Sequence, residues 1–345
     1  MMRVKTLIAA EDTAYTEHIS EYISEYHADT MEISVCSTIA QLRKSLSSRR
    51  YDVALMDETL IGEADLTSVT LPLLLWTGKE AASSNGEPQP QARYVKKHKR
   101  ISSIMADVLE HYAAAAGSGY ISGETEGTVT AVWSPSGGVG KTTVALAYAT
   151  SRAAKEKDVF YLNMEFFTAS PVYLSEKGKS ISAVFEMLEN NTGNIKILIQ
   201  AMQSNENGIK YLCAPNNFDD ICILSAENIR ELVTCCAEVT GELVIDMSCM
   251  CDSRTRQIFE LADKILLVTD PTDTARIKLT QFISQSNVYE GIKEKLVLVV
   301  NESEALTEAD KDLMKATASV ETAIFLPSVS ERNAQTVYGT LAKHM

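Results

Sequence analysis

The stretch TVTAVWSPSGGVGKTTVALAYATS, residues 128–151, decides how the larger part of this chain is read. Its first six residues, Thr128–Trp133, are apolar or β-branched and predict a buried strand, whereas 141–155 carries the apolar spacing of a helix. Between them, Gly137, Gly138 and Gly140 lack Cβ atoms, so backbone N–H groups can close around an anion. The N-terminus of the following helix adds positive potential at the same point. Lys141 is placed to reach the β- and γ-phosphates of a nucleotide, Thr142 to ligate Mg²⁺ and Thr143 to touch the α-phosphate. The expected cofactors are ATP and Mg²⁺, in a cradle running through Ser136, Gly137, Gly138, Val139, Gly140, Lys141, Thr142 and Thr143.

Outward from this loop, further short apolar runs occupy 159–164, 209–213, 243–245, 265–268 and 296–300, with helices expected between them, notably Ala226–Glu238 and 273–289. Strands alternating with helices predict a doubly wound α/β fold with a mainly parallel sheet. In such a sheet ligands bind at the carboxyl ends of the strands. The run 243–245 ends there in Asp246, an acid suited to hold the metal's water shell. An Asp that merely caps the next segment is the plainer alternative.

A second alternation precedes the first. Strands are expected at 4–10, 33–36, 51–56, 71–76 and Arg93–Lys96, with helices at Thr13–Tyr26, 39–46 and 101–112. The predicted division is a first domain over 1–113, a linker over 114–127 rich in alanine, glycine and polar residues, and a second domain over 128–345.

Bulk composition narrows the function classes. Of 345 residues, 45% are apolar and 23% charged, ordinary for a globular protein, and the net charge is −14. Electrostatic binding to DNA or anionic lipid needs clustered Lys and Arg. The only dense basic stretch is 93–100, which a solvated face explains equally well. Neither a nucleic-acid partner nor direct membrane insertion is expected, and no run approaches the ~18–20 apolar residues of a membrane span. The first ten residues hold too short an apolar core for a signal peptide, so the protein is expected in the cytoplasm. Seven cysteines without a Cys-x-x-Cys pair argue against a disulfide framework. Cys249 and Cys251 could ligate a metal or simply be small residues beside a buried strand.

The glycine-rich loop with its strand-ending Asp246 is similar to the ParA/MinD group of ATPases, whose members sandwich two ATPs in a dimer. Within it, a receiver-like first half is similar to the TadZ/CpaE family of pilus-assembly localisation proteins. The resemblance covers nearly the whole chain. It implies a homodimer that works with pilus-assembly or polar-localisation proteins, recruited to a pole or to a membrane-bound assembly. It also implies a catalytic set of Lys141, Glu165 and Asp246, with Thr142 and Asp246 at the metal. Asn301 is similar to the family's base-recognising Asn, or else is an Asn ending a strand. Pro327, in the 326–327 segment, is similar to the loop that covers adenine.

Three departures bear on turnover. Ser136 stands where most of the group has a lysine that reaches the partner's phosphates. Pro135 replaces a common Gly and removes an N–H. The group's Asp-x-Asp is Asn163, Met164 and Glu165 here. Binding tolerates such changes better than hydrolysis, which demands charge stabilisation and water placement.

In the first half, Glu11 and Asp12 follow the first strand, Asp57 the third, Thr77 the fourth and Lys97 the fifth. By type and order this is the acid, phosphoacceptor, hydroxyl and lysine set of a flavodoxin-like receiver domain. The 20 residues from Asp57 to Thr77 and the polar stretch 79–91 leave little room for the usual third and fourth helices. Asp57 is then either a phosphoacceptor or part of a degenerate receiver kept for docking. Three functions stay open: an ATP-dependent dimerising localisation factor with slow or absent hydrolysis, an actively hydrolysing ParA-like ATPase, and a phosphorelay response regulator with a nucleotide-gated output. The acidic charge, Ser136 and Asn163 favour the first.

Overall fold

A computed structural model describes residues 3–26, 28, 31–61, 65–77, 93–115, 127–155, 157–175, 177–329 and 334–345. The chain divides into two compact units, Met1–Ile121 and Ser122–Met345. The expected linker lies outside the described residues over 116–126, while 114 and 115 are helical.

In the smaller unit, β1 (Val4–Ala9), β2 (Met31–Cys36), β3 (Tyr51–Asp57), β4 (Val69–Trp76) and β5 (Arg93–Lys96) form one sheet of order β2-β1-β3-β4-β5. All four pairings are parallel, and this is the order of flavodoxin-like sheets. Helices α1 (Thr13–Tyr26), α2 (Ile39–Ser48), α3 (Glu58–Ile61) and α4 (Ile101–Ala115) accompany it. Among the described residues, the connection after β3 carries the four-residue α3 as its one helix. The polar stretch 79–91 lies outside the described residues. Leu7, Ala54, Met56 and Leu42 form part of the core between sheet and helices.

The larger unit contains β6 (Thr128–Trp133), α5 (Lys141–Ala153), β7 (Val159–Met164), α6 (Ser182–Glu189), α7 (Ile195–Met202), β8 (Ser204–Glu206), β9 (Ile209–Tyr211), α8 (Asp219–Cys222) and α9 (Ala226–Glu238). It continues through β10 (Glu242–Met247), α10 (Ser253–Leu261), β11 (Lys264–Thr269), α11 (Asp273–Ile283), α12 (Ser286–Ile292), β12 (Leu296–Val300), α13 (Glu308–Ala318), β13 (Ala323–Phe325) and α14 (Ala334–Leu341). Its sheet runs β13-β12-β11-β6-β10-β7-β9-β8, parallel except for β8 against β9. The helix expected over 273–289 is two helices, because the chain breaks at Ser284 and Gln285, whose N–H groups bond back to Thr280 and Phe282.

The central strands β6, β7 and β10 are almost wholly buried, as a sheet covered on both faces requires. α5 packs its Val144, Ala145, Ala147 and Tyr148 against Val132, Tyr161 and Val244. That packing sets the N-terminus of α5 at the carboxyl ends of β6 and β10. Among the described residues no helix is long and apolar enough to cross a membrane.

Candidate functional site

The loop between β6 and α5 is shaped by two residues in the left-handed region, Gly138 (φ 81°) and Gly140 (φ 88°). The φ at 140 favours glycine, and a Cβ there would lie 2.5 Å from Asn301 Nδ2 and push that amide aside. Asn301 Nδ2 donates to the Val139 carbonyl at 3.2 Å, and Val139 is buried. Asn301 thus fastens the loop from the end of β12. Leu326 N–H donates to Val300, and its carbonyl accepts from both Ser303 N–H and Ser303 Oγ at 2.9 Å. The half-buried Pro327 follows directly.

Gly140 occupies the N-cap of α5, and no side chain caps it. The first amides of that 13-residue helix are therefore unspent, the arrangement that binds anions. The start of the loop contributes less. Pro135 has no N–H, and the N–H of buried Ser136 donates inward to Ser134 Oγ at 3.0 Å. The cradle begins at Gly137 and Gly138, both exposed with open space around them.

Four functional side chains expected from sequence meet at the head of α5. Lys141, 7% exposed, lies with Nζ 3.5 Å from Glu165 Oε1. Thr142 Oγ1 donates to Glu165 Oε2 at 3.3 Å. Asp246, at the carboxyl end of β10, is fully buried and accepts from Tyr161 Oη at 2.7 Å through Oδ2. Its other oxygen, Oδ1, has no partner among the described residues. Burial, and then the Glu165 charge, push the Asp246 carboxyl from 3.8 up to about 7, against the opposing pull of Tyr161, Thr142 and Lys141. Burial and the same carboxylate push the Tyr161 phenol well above its ordinary value, so it stays a donor.

Glu165 is aimed by Asn163. The Asn163 Oδ1 accepts from Glu165 N–H at 2.9 Å, and its Nδ2 donates to Thr168 Oγ1 and to Ser170 Oγ. A neutral amide at 163 leaves Glu165 and Asp246 as the acids facing Lys141. Thr143 Oγ1 shares a 3.0 Å hydrogen bond with Tyr173 Oη. Tyr161 and Tyr173 escaped the sequence reading. The one available signal was a hydroxylated aromatic, Tyr161, inside an otherwise apolar strand beside the one that ends in Asp246.

In the smaller unit, Lys97 Nζ closes on both oxygens of Asp57, at 2.7 and 2.8 Å, with the two side chains 16% and 11% exposed. Lys97 also lies over the Tyr15 ring at 5.2 Å. Burial, then Asp57 and Asp12, push the Tyr15 phenol up to about 12. Asp12 Oδ1 accepts from Tyr15 N–H at the start of α1. Glu11 and Thr77 sit exposed after β1 and β4. The structure joins Asp57 and Lys97 directly, with Asp12 near enough to act on Tyr15.

Cys249 and Cys251 are exposed free thiols, and among the described residues no group of three or more His, Cys, Asp or Glu side chains is arranged for a metal. That does not count against Mg²⁺, which takes one or two protein oxygens and completes its octahedron with phosphates and water.

No family model and no curated protein matches the chain. Among solved structures it is similar to a ParA family ATPase from Chlorobium tepidum TLS, with TM-score 0.54 and 14% identity, covering 63% of this chain and 99% of that one. The septum site-determining protein MinD of Pyrococcus horikoshii OT3, complexed with Mg-ADP, gives TM-score 0.49 and 13% identity over 63% of this chain and 94% of that one. A plasmid partition protein from Borrelia burgdorferi B31 bound to AMPPNP gives TM-score 0.43 and 14% identity over 63% and 97%. At such identities the likeness is one of fold, and the first of the three carries it: this chain contains a ParA-type α/β fold.

Proposed function

We propose that the larger unit binds ATP with Mg²⁺ and that the chain is an ATP-dependent dimerising localisation or assembly factor with slow or absent hydrolysis. The observation that carries this is the pairing of an uncapped helix N-terminus with a buried carboxylate oxygen that has no partner among the described residues. A buried polar atom without a partner costs ~1–3 kcal/mol, and a ligand that supplies the partner recovers it. The donor set suits this ligand: backbone amides and Lys141 for phosphates, Thr142 Oγ1 and Asp246 Oδ1 for the ion and its water shell. Bound Mg²⁺ would offset phosphate charge.

Slow turnover follows from the same residues. Ser136 is turned inward and carries no charge to a facing subunit, Asn163 is neutral, and Glu165 is held by Lys141 and Thr142. The role in localisation, in a Tad-type pilus system, rests on the similarity of the two-part sequence to TadZ/CpaE proteins. It is consistent with a fold shared with a ParA family ATPase. Gel filtration with and without ATP and Mg²⁺ tests it: the expected result is a dimer in saturating ATP, and a lasting monomer there would count against it.

A second reading, a receiver whose phosphorylation gates the nucleotide unit, is favoured by the bidentate Lys97–Asp57 contact in a sheet of flavodoxin-like order. Incubation with acetyl phosphate should then add one phosphate, and Asp57→Asn should abolish it. An unchanged mass would leave the smaller unit as a docking module.

A further inference from the structure

Tyr161 lies on β7, opposite Val244 in the parallel register with β10, and Asp246 is two residues further along that neighbour. Residues two apart on a strand share a face, so Asp246 is the diagonal neighbour of Tyr161, about 7–8 Å away in backbone and within reach of a long aromatic side chain. The ring is 1% exposed and packed among Val132, Val144 and Val244. It has one fixed direction, and its hydroxyl meets Asp246 Oδ2 at 2.7 Å. β7 otherwise reads Val-Phe-Tyr-Leu-Asn-Met. A phenylalanine at 161 would fill the same volume without the bond, so packing alone does not explain the hydroxyl.

We propose that Tyr161 is a positioning residue of the nucleotide site: its hydroxyl ties down Oδ2 of Asp246, so that Oδ1 remains available to the water shell of the Mg²⁺ that accompanies ATP. The inference rests on the ATP-binding reading above. Tyr161 donates to Oδ2 at 2.7 Å, Oδ1 has no hydrogen-bond partner among the described residues, and Thr142 also draws on the carboxyl. Without the hydroxyl, Oδ2 would lose its 2.7 Å donor, and the carboxyl would be steered by Thr142 and Lys141 alone, which face the nucleotide site themselves. Groups that orient metal-holding side chains influence metal affinity by about 10–100-fold.

The test is calorimetric titration of the full chain with ATP at a series of free Mg²⁺ concentrations and in EDTA. Wild type, Tyr161→Phe, Asp246→Asn and the double variant are compared. Tyr161→Phe should raise the Mg²⁺ needed for half-maximal binding about tenfold or more, with the affinity in EDTA unchanged. In the Asp246→Asn background it should add nothing further. A Tyr161→Phe protein with the wild-type Mg²⁺ requirement overturns the inference. So does a loss of equal size with and without Mg²⁺, which would mark a purely structural role. If wild type binds ATP but ignores Mg²⁺, this inference falls while ATP binding stands; if wild type binds no ATP, both fall.

Discussion

Strand β10 begins and ends with a buried carboxylate, and the two are treated in opposite ways. Glu242, 1% exposed, accepts from Thr130 Oγ1 at 3.3 Å and Tyr148 Oη at 3.1 Å through one oxygen, and from Arg152 Nε at 2.9 Å through the other. Asp246, four residues on and on the same face of the sheet, accepts from Tyr161 on one oxygen and, among the described residues, has no hydrogen-bond partner on the other. The first acid stitches α5 to the sheet. The second sits at the ligand-binding edge with capacity in reserve. Burial is the same; what separates a structural acid from a functional one is whether the protein completes its hydrogen bonds.

The sharpest way to break this contrast is Asp246→Asn in nucleotide-free protein. The folded-state carboxyl is raised from 3.8 to about 7. The native state therefore holds a proton that the unfolded chain releases, so this contribution to stability is full below pH 3.8 and is lost as pH rises towards 7. At pH 8 the wild type bears the whole cost of the ionised form, and Asp246→Asn should be stabilised by up to about 4 kcal/mol. At pH 4 the two should unfold alike. Thermal unfolding at both pH values checks this, and equal differences at the two would remove Asp246 from the account.

The opposite end of β10 should respond in the opposite sense. Arg152→Ala leaves the Glu242 carboxylate buried beside hydroxyls alone and should cost about 3 kcal/mol, read as a drop in thermal midpoint at any pH near neutrality. A negligible change would mean that Glu242 is not held as the distances indicate. In the smaller unit, Lys97→Ala removes both contacts to Asp57 and should cost about 2 kcal/mol, less because the pair is partly open to water. Adding Asp57→Asn should recover most of it. The smallest change is expected for Lys141→Ala, about 1 kcal/mol of stability or less, since its contact with Glu165 is long at 3.5 Å and removing a nearly buried ammonium also removes its desolvation cost. The same substitution should nonetheless abolish ATP binding. A large loss of stability would make Lys141 a structural residue.

Much of this was legible in the sequence because it is local. Three glycines between a strand and a helix define the loop, and an apolar run that stops at Asp246 marks a strand edge. Glu165 comes from the resemblance to ParA/MinD ATPases, where it stands at the second acid of that group's Asp-x-Asp. What was not legible depends on register across the sheet. Tyr161 and Asp246 are 85 residues apart in sequence, and only the pairing of β7 with β10 brings them together. The inward turn of Ser136 depends on Ser134 as an acceptor, which composition does not reveal. The three-residue strands β8 and β13 are too short for alternation to show. From sequence, Asn301 is either similar to the family's base-recognising Asn or an Asn that ends a strand. The structure shows it holding the loop backbone, a contact 162 residues distant in sequence.

The central claim is that the amides at the head of α5, with Lys141, Thr142 and Asp246, receive a triphosphate and its metal. Calorimetry of the full chain with ATP and Mg²⁺, run beside the Lys141→Ala variant, tests it most directly. Wild type should take up one ATP per chain with measurable heat, and the variant should give none. Absence of heat from wild type, or equal binding by both proteins, would contradict the account.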